Sequence, residues 1–166
     1  MKQMVSRHIL DSVVIGPHVK GHQVLDVGCG AGLPGIPLAI IFPDKHFTLL
    51  DSNNKKTRFV QHAVSELQLD NISVVTERIE LYKPPETFDT VVARAYSSIE
   101  NLLNGVRHLL KENSQVLAMK GIYPLAELES IPSPFVVEKV EPILVPGLDA
   151  ERHLVVLSFP AKHISV

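Results

Sequence analysis

The sequence predicts an α/β protein with a doubly wound, mostly parallel seven-stranded sheet whose last strand runs antiparallel. Short apolar runs, typical of buried strands, alternate with segments whose apolar residues recur at helical spacing. The first of these runs leads directly into a glycine-rich loop and then a helix, which is the nucleotide-binding corner of such sheets. The last two strands follow each other without a helix between them, so they are predicted to form a terminal hairpin.

Strand and helix signals alternate along the chain in a regular order. The strands are predicted at residues 23–27, 46–50, 71–75, 88–93, 115–119, 135–140 and 153–159. The helices are predicted at residues 7–14, 36–42, 55–67, from Ser97 or Ser98 through Leu110, and 124–129. Asn53 or Asn54 is expected to cap the third helix because asparagine oxygens accept hydrogen bonds from free N–H groups of the first turn.

Length and composition predict one domain, with a helical lead-in over residues 1–20 and a core over residues 21–160. Of the 166 residues, 45% are hydrophobic and 20% are charged, and the formal net charge is −2. A protein with this net charge does not attract polyanions over its whole surface. Any contact with nucleic acid must therefore come from a local patch of positive charge. One cysteine excludes an internal disulfide and is compatible with the cytoplasm. No apolar run approaches the roughly 20 residues of a membrane span.

The glycine loop after the first strand contains the sequence Asp26-Val-Gly28-Cys-Gly30-Ala-Gly32. Glycines allow positive φ angles and let a ligand approach the backbone closely. The loop also fits the dinucleotide pattern, with Asp51 about 20 residues further on, so a nicotinamide cofactor stays an alternative. However, the carboxylate of Asp26 would repel phosphate and would suit a cationic amino-acid head group. The Asp-x-Gly-x-Gly-x-Gly pattern resembles motif I of the class I methyltransferases, in which Asp51 would hold the ribose hydroxyls of S-adenosylmethionine.

Four cationic residues are predicted at one edge of the sheet. Arg78, Arg94 and Lys120 follow the third, fourth and fifth strands, and Arg152 precedes the antiparallel last strand. Because ligands of such sheets bind outside the carboxyl ends of the parallel strands, these side chains would surround the substrate. A cationic rim beside a cofactor pocket indicates an anionic substrate, of which nucleic acid is the commonest large example.

The remaining reactive residue types give no pattern typical of a catalytic dyad or a metal site. Cys29 is interpreted as a small buried loop residue rather than as a nucleophile. The eight histidines are scattered without ligand spacing, so no metal is expected.

Several segments together resemble the glucose-inhibited division protein B family of small-subunit ribosomal RNA methyltransferases. The resemblance runs from about Met4 to about Phe159, and the Leu-Pro-Gly-Ile-Pro extension of the glycine loop is its most specific part. It is carried by residues 7–12 (RHILDS), 26–37 (DVGCGAGLPGIP), 50–52 (LDS), 93–95 (ARA), 120–121 (KG) and 151–153 (ERH). It implies a class I S-adenosylmethionine-dependent methyltransferase with a Rossmann-like fold that makes 7-methylguanosine in 16S ribosomal RNA.

The resemblance also implies roles for individual residues. Gly28 and Leu33 would line the S-adenosylmethionine pocket. Ile79 and Glu80 would contact the adenine end, and Arg94 would close the pocket. From their places in the glycine loop and after the second strand, Gly30 and Asp51 are also expected to bind the cofactor. Arg78, Lys120 and Arg152 would belong to the basic surface that meets RNA. No catalytic general base is expected because guanine N7 carries a lone pair and no proton. The implied partner is 16S ribosomal RNA or the small ribosomal subunit, and we expect a cytoplasmic monomer without membrane contact.

Two further functional alternatives are kept. The first is an S-adenosylmethionine methyltransferase that acts on a small molecule or a protein, since a fold does not define a substrate. The second is a non-catalytic module that binds cofactor or RNA. It is considered because the family usually carries several dozen more residues at the N-terminus, whereas this chain begins just before Arg7-His8. We expect the cofactor fold to form without that segment.

Overall fold

Seven strands form one continuous sheet at the centre of the molecule. A computed structural model describes residues 5–161, with side chains described from His8 onward. The order across the sheet is β3-β2-β1-β4-β5-β7-β6. The strands are β1 Gln23–Val27, β2 His46–Asp51, β3 Ile72–Thr76, β4 Phe88–Arg94, β5 Leu110–Lys120, β6 Val136–Pro142 and β7 His153–Phe159.

The predicted strand directions are confirmed. Strands β1 to β5 pair in parallel, whereas β7 inserts antiparallel between β5 and β6. In the β5–β7 ladder, Lys120 lies opposite His153. The end of β5 and the start of β7 therefore lie at the same edge of the sheet as the carboxyl ends of β1, β2 and β4.

The helices lie close to their predicted positions. A wide helical turn at Val5–Leu10 leads into α1 (Asp11–Val13), and a short 3₁₀ turn follows at Gly16–His18. The other helices are α2 Gly35–Ile41, α3 Asn54–Glu66, α4 Ile99–Val106 and α5 Leu125–Leu128. Asn53 caps α3, because its side chain accepts a hydrogen bond of 3.1 Å from the N–H of Lys56.

Two details of the sequence prediction are wrong. The helix after Ser98 ends at Val106 and is followed by a 3₁₀ turn at Arg107–Leu109. It does not continue through Leu110, because Leu110 already pairs with Phe88 and begins β5, five residues before the predicted strand. Tertiary pairing with β4 thus overrides the local polar sequence at residues 111–113.

The core consists of two apolar layers, one on each face of the sheet. On β1, Leu25 and Val27 pack into one layer while Val24 packs into the other. Helix α4 covers the first layer and helix α2 covers the second. Because both faces of the sheet are buried, the strands are continuous apolar runs in the sequence. Each fully buried leucine contributes about 2 kcal/mol to the stability of the fold. Within residues 5–161, no helix has the length and apolar character that crossing a bilayer requires.

Candidate functional site

The loop between β1 and α2 forms an open backbone cradle. Gly28, Gly30 and Gly32 have φ angles of +67°, +55° and +89°, the left-handed region that disfavours other residues. A Cβ atom placed on Gly28 would come no closer than 3.8 Å to a neighbouring side chain, the ring of Tyr96. It would therefore meet that ring at ordinary van der Waals distance, without a clash, in a space that Gly28 and Tyr96 both line. This space lets a ligand lie against the backbone, which is how glycine loops bind nucleotide cofactors.

Asp51, at the end of β2, holds this loop in shape. One carboxylate oxygen accepts a hydrogen bond of 3.0 Å from the N–H of Gly30, and the other accepts one of 2.9 Å from the N–H of Asn53. The backbone N–H groups of Gly28 and Cys29 donate to the carbonyl of Leu50 at 2.8 and 3.1 Å. A carboxylate oxygen has two lone pairs, so Asp51 keeps acceptor capacity for a hydroxyl.

A first cavity of about 280 Å³ opens above the cradle. It includes four of the seven residues predicted to bind cofactor: Gly28, Asp51, Ile79 and Glu80. Gly30, Leu33 and Arg94 are not part of its lining, although Gly30 donates a hydrogen bond to Asp51, which is. The full lining is Val27, Gly28, Leu50, Asp51, Ser52, Glu77, Arg78, Ile79, Glu80 and Tyr96.

Asp26 lies fully buried beneath the loop. One carboxylate oxygen accepts a hydrogen bond of 2.8 Å from the N–H of Gly35, whereas Oδ1 has no hydrogen-bond partner among the described residues. Burial raises the pKa of Asp26 to about 7, although the Gly35 N–H and the positive charge of Arg94 act against this rise. Position 35 must be glycine, because a Cβ there would lie 2.7 Å from Asp26 Oδ2 and 2.8 Å from Leu49.

Cys29 is buried in the same loop, with 1% of its surface exposed. Burial raises the pKa of its thiol far above the ordinary value, and the nearby carboxylates of Asp26 and Asp51 act in the same direction. A buried, protonated thiol is a poor nucleophile. The environment thus fits the interpretation of Cys29 as a packing residue.

A second cavity of about 390 Å³ adjoins the first. Tyr96 lines both cavities. The second cavity brings together Arg94, Lys120 and Arg152, whereas the fourth predicted cation, Arg78, lines the first cavity. The lining consists of His8, Asp11, Arg94, Ala95, Tyr96, Met119, Lys120, Gly121 and Arg152.

The three cations of the second cavity are held by two carboxylates. Asp11 lies 3.2 Å from Arg152 Nε and 3.9 Å from Arg94 NH1. Glu127 lies 2.9 Å from Lys120 Nζ. No role was predicted for Asp11, Glu127 or Tyr96. A signal existed for Asp11, because it belongs to the Arg-His-Ile-Leu-Asp-Ser segment that carries part of the family resemblance.

Metal-binding geometry is not found in the part of the chain that the structure describes. Over residues 5–161, no group of three or more His, Cys, Asp and Glu side chains is placed to hold a metal ion. This finding concerns these side chains alone.

Solved structures share this fold at low sequence identity. An S-adenosylmethionine-dependent methyltransferase from Aquifex aeolicus superposes with a TM-score of 0.74 at 17% identity, and covers 95% of this chain and 93% of its own. TrmN from Thermus thermophilus superposes with a TM-score of 0.70 at 17% identity, and covers 89% of this chain and 46% of its own. The fold of this chain is therefore that of the class I S-adenosylmethionine-dependent methyltransferases.

Sequence comparison identifies the family within this class. The family model described as GidB, rRNA small subunit methyltransferase G, matches residues 1–155. Ribosomal RNA small subunit methyltransferase G of Nitrosococcus oceani is 51% identical over 156 residues, 94% of this chain and 73% of the relative. The enzyme of the same name from Chromobacterium violaceum is 49% identical over 155 residues, 93% of this chain and 74% of the relative. The chain belongs to the rRNA small subunit methyltransferase G family, which confirms the resemblance and removes the dinucleotide alternative.

Proposed function

We propose that this protein is an S-adenosylmethionine-dependent methyltransferase that forms 7-methylguanosine at a guanine N7 of 16S ribosomal RNA. Family membership supports the reaction class. The observation that carries the assignment to this site is the pair of adjoining cavities: one contains the glycine cradle, and the other contains three cationic side chains. This arrangement places a cofactor pocket directly beside a pocket suited to an anionic polymer.

The residues of the first cavity fit S-adenosylmethionine. The open space above Gly28 accepts a ligand against the backbone, and Asp51 has acceptor capacity for ribose hydroxyls. In this proposal Gly30 and Leu33 shape the loop, Ile79 and Glu80 contact the adenine end, and Arg94 closes the pocket. When bound, the cofactor supplies a methyl group on a positively charged sulfur.

The residues of the second cavity would position the guanine. Guanine N7 has an in-plane lone pair and no proton, so the protein needs to hold the base and does not need to remove a proton. The rate enhancement would come from proximity and alignment. Arginine and lysine commonly contact guanine O6 and N7. Because N7 must stay free, Arg94 and Lys120 are proposed to contact O6 or a phosphate, and Arg78 and Arg152 to contact the RNA backbone.

The proposed partner is 16S ribosomal RNA or the assembled small subunit, and the proposed working form is a monomer in the cytoplasm. We further propose a single domain, in which residues 1–20 form a helical lead-in to the core at residues 21–160. The lead-in supplies His8 and Asp11 to the second cavity. It would therefore belong to the RNA-facing side of the enzyme.

Two measurements on one sample test this function. Calorimetric titration with S-adenosylhomocysteine comes first, and methyl transfer to unmodified 16S ribosomal RNA and small subunits follows. Binding with transfer to guanine N7 is the expected result. Binding with transfer only to another substrate would overturn the RNA assignment, and binding without any transfer would indicate a non-catalytic module. Absence of binding would overturn the cofactor assignment.

A further inference from the structure

We infer that Asp11 is a positioning residue that orients Arg94 and Arg152 at the wall of the second cavity. The inference rests on the proposed function, because it concerns how the substrate guanine and its phosphate are received. Asp11 comes from the helical lead-in, Arg94 from the end of β4 and Arg152 from the start of β7. One carboxylate thus connects three parts of the fold at the cavity.

Burial makes Asp11 suited to this role. Only 4% of its surface is exposed, although it lines the cavity. A buried carboxylate is strongly unfavourable unless it is paired, and here two guanidinium groups provide the compensation. In turn, the negative charge reduces the repulsion between two arginines that face the same small space. The pairing therefore stabilises an arrangement that the two cations would not keep by themselves.

The hydrogen bonds fix the orientation of the Arg152 guanidinium. Its Nε–H donates to Asp11 Oδ1 at 3.2 Å, and its NH1 group donates to the carbonyl of Glu151 at 2.8 Å. A guanidinium is planar and carries five N–H donors, so two fixed contacts define its plane and leave other donors free. A phosphate or a carbonyl such as guanine O6 accepts bonds from such donors.

The backbone after Arg94 is also held in an uncommon conformation. Ala95 has a φ of +53° and lines the second cavity beside Arg94. A non-glycine residue in the left-handed region costs on the order of 1 kcal/mol and persists only where neighbouring contacts hold it. The Arg94 side chain, which leaves the backbone immediately before this turn, has its NH1 group 3.9 Å from the carboxylate of Asp11.

The test compares Asp11→Asn with Asp89→Asn as a matched control. Like Asp11, Asp89 pairs with a cation, Lys111, at 2.5 Å. It accepts hydrogen bonds from two backbone N–H groups and lies at the opposite end of the sheet. For Asp11→Asn we expect kcat on 16S ribosomal RNA to fall about tenfold. The reason is that Arg94 and Arg152, which are proposed to hold the guanine and its phosphate, lose their alignment. The KM for RNA should not rise, since the freed guanidinium groups still attract phosphate. Asp89→Asn should change neither constant by more than about twofold.

A double-mutant cycle with Arg152→Gln separates positioning from general stability. Because Asp11 acts partly through Arg152, the Asp11→Asn change should cost less activity in the Arg152→Gln background than in the unchanged protein. Arg152→Gln alone should leave the affinity for S-adenosylhomocysteine within about twofold, because Arg152 lines the second cavity and not the first. Fully additive losses, or a kcat of Asp11→Asn equal to that of the control, would overturn the inference.

Two additional measurements cover poor folding and failure of the proposed reaction. Asp11→Glu keeps the charge but displaces the carboxylate by one methylene, so it should fold like the unchanged protein and still lose kcat; full activity would contradict the inference.

If the unchanged protein methylates no RNA, the proposed function fails first. The Nε–H signal of Arg152 in NMR spectra then tests the contact itself, and it should exchange with water much faster in Asp11→Asn.

Discussion

At the scale of single residues, two glycines matter because they have no side chain. Gly28 leaves free the space into which a Cβ would project, whereas Gly35 allows the backbone to approach within hydrogen-bond distance of Asp26. Both glycines are therefore required, but for different reasons. In the proposed site, the missing side chain at Gly28 leaves room for the cofactor, whereas the missing side chain at Gly35 lets α2 pack against Asp26 of β1 and Leu49 of β2.

Gly28→Ala tests the cradle. We expect the S-adenosylhomocysteine dissociation constant to rise at least about tenfold, because the added methyl would occupy the first cavity. The matched control is Gly147→Ala, since exposed Gly147 has a similar φ of +77°. Both variants should lose about 1 kcal/mol of unfolding free energy from the left-handed backbone. Equal losses of cofactor affinity in the two variants, measured by calorimetry, would contradict the assignment.

Asp26 predicts a pH dependence of stability. Its pKa is about 7 in the folded protein against an ordinary value of 3.8, so the folded state binds the proton more tightly than the unfolded state. Its contribution is fully present below the unfolded pKa and is lost as the pH rises toward 7, by about 4 kcal/mol in total.

Urea unfolding of the unchanged protein and of Asp26→Asn at pH 5, 6, 7 and 8 measures this effect. The free energy of unfolding of the unchanged protein should fall relative to that of Asp26→Asn between pH 5 and 7, and the difference should level off above pH 7. Parallel curves over this whole range would show that Asp26 titrates normally.

At the scale of secondary-structure elements, α5 is a short helix with a connecting role. A carboxylate oxygen of its Glu127 accepts a hydrogen bond of 2.7 Å from the N–H of Ile99, the first residue of α4, and also contacts Lys120 at the end of β5. A negative charge at a helix N-terminus is favourable because it faces free N–H groups. Glu127 thus joins α4, α5 and β5 beside the second cavity.

Glu127→Gln should lower the free energy of unfolding by about 1–2 kcal/mol, since a charge-assisted bond to Ile99 and the ion pair with Lys120 are both weakened. Glu129→Gln is the control, because Glu129 is exposed at the end of the same helix. The control should change stability by less than about 0.5 kcal/mol. Denaturant unfolding measures both, and identical midpoints for the two variants would refute the connecting role.

At the scale of the whole molecule, charge is distributed unevenly. The net charge is −2, and the first cavity is lined by three carboxylates and one cation, Arg78. The second cavity is lined by one carboxylate, Asp11, and three cations, Arg94, Lys120 and Arg152. Three of these cations are paired with Asp11 or Glu127, whereas exposed Arg78 borders the first cavity. A local cationic site on an acidic protein is suited to a specific contact with RNA and not to general attraction.

Arg78→Gln should weaken RNA binding and reduce the slope of log Kd against log salt concentration by about 1, as expected for one lost phosphate contact. Arg58→Gln provides the control, because Arg58 is exposed on α3 away from both cavities. Fluorescence anisotropy with labelled RNA at several salt concentrations gives both slopes. A loss of S-adenosylhomocysteine affinity with an unchanged salt slope would instead assign Arg78 to the cofactor.

Signals close together in the chain were predictable from the sequence. The period of the apolar residues identified the seven strands, and the glycine loop followed by Asp51 predicts the cofactor corner. The capping role of Asn53 was also predictable, because a cap involves residues three positions apart. The start of β5 was not, since Leu110 joins the sheet only through its pairing with Phe88.

The sequence by itself determined the fold class, the strand directions, the place of the glycine loop and the family, because each depends on local periodicity or on a contiguous motif. Only the tertiary structure decided that Asp11 meets Arg152, 141 positions away, and that Tyr96 lines both cavities. It also divided the predicted cations between two cavities. Such contacts depend on how loops end at the edge of a twisted sheet, and neither hydrophobic periodicity nor residue spacing carries that information.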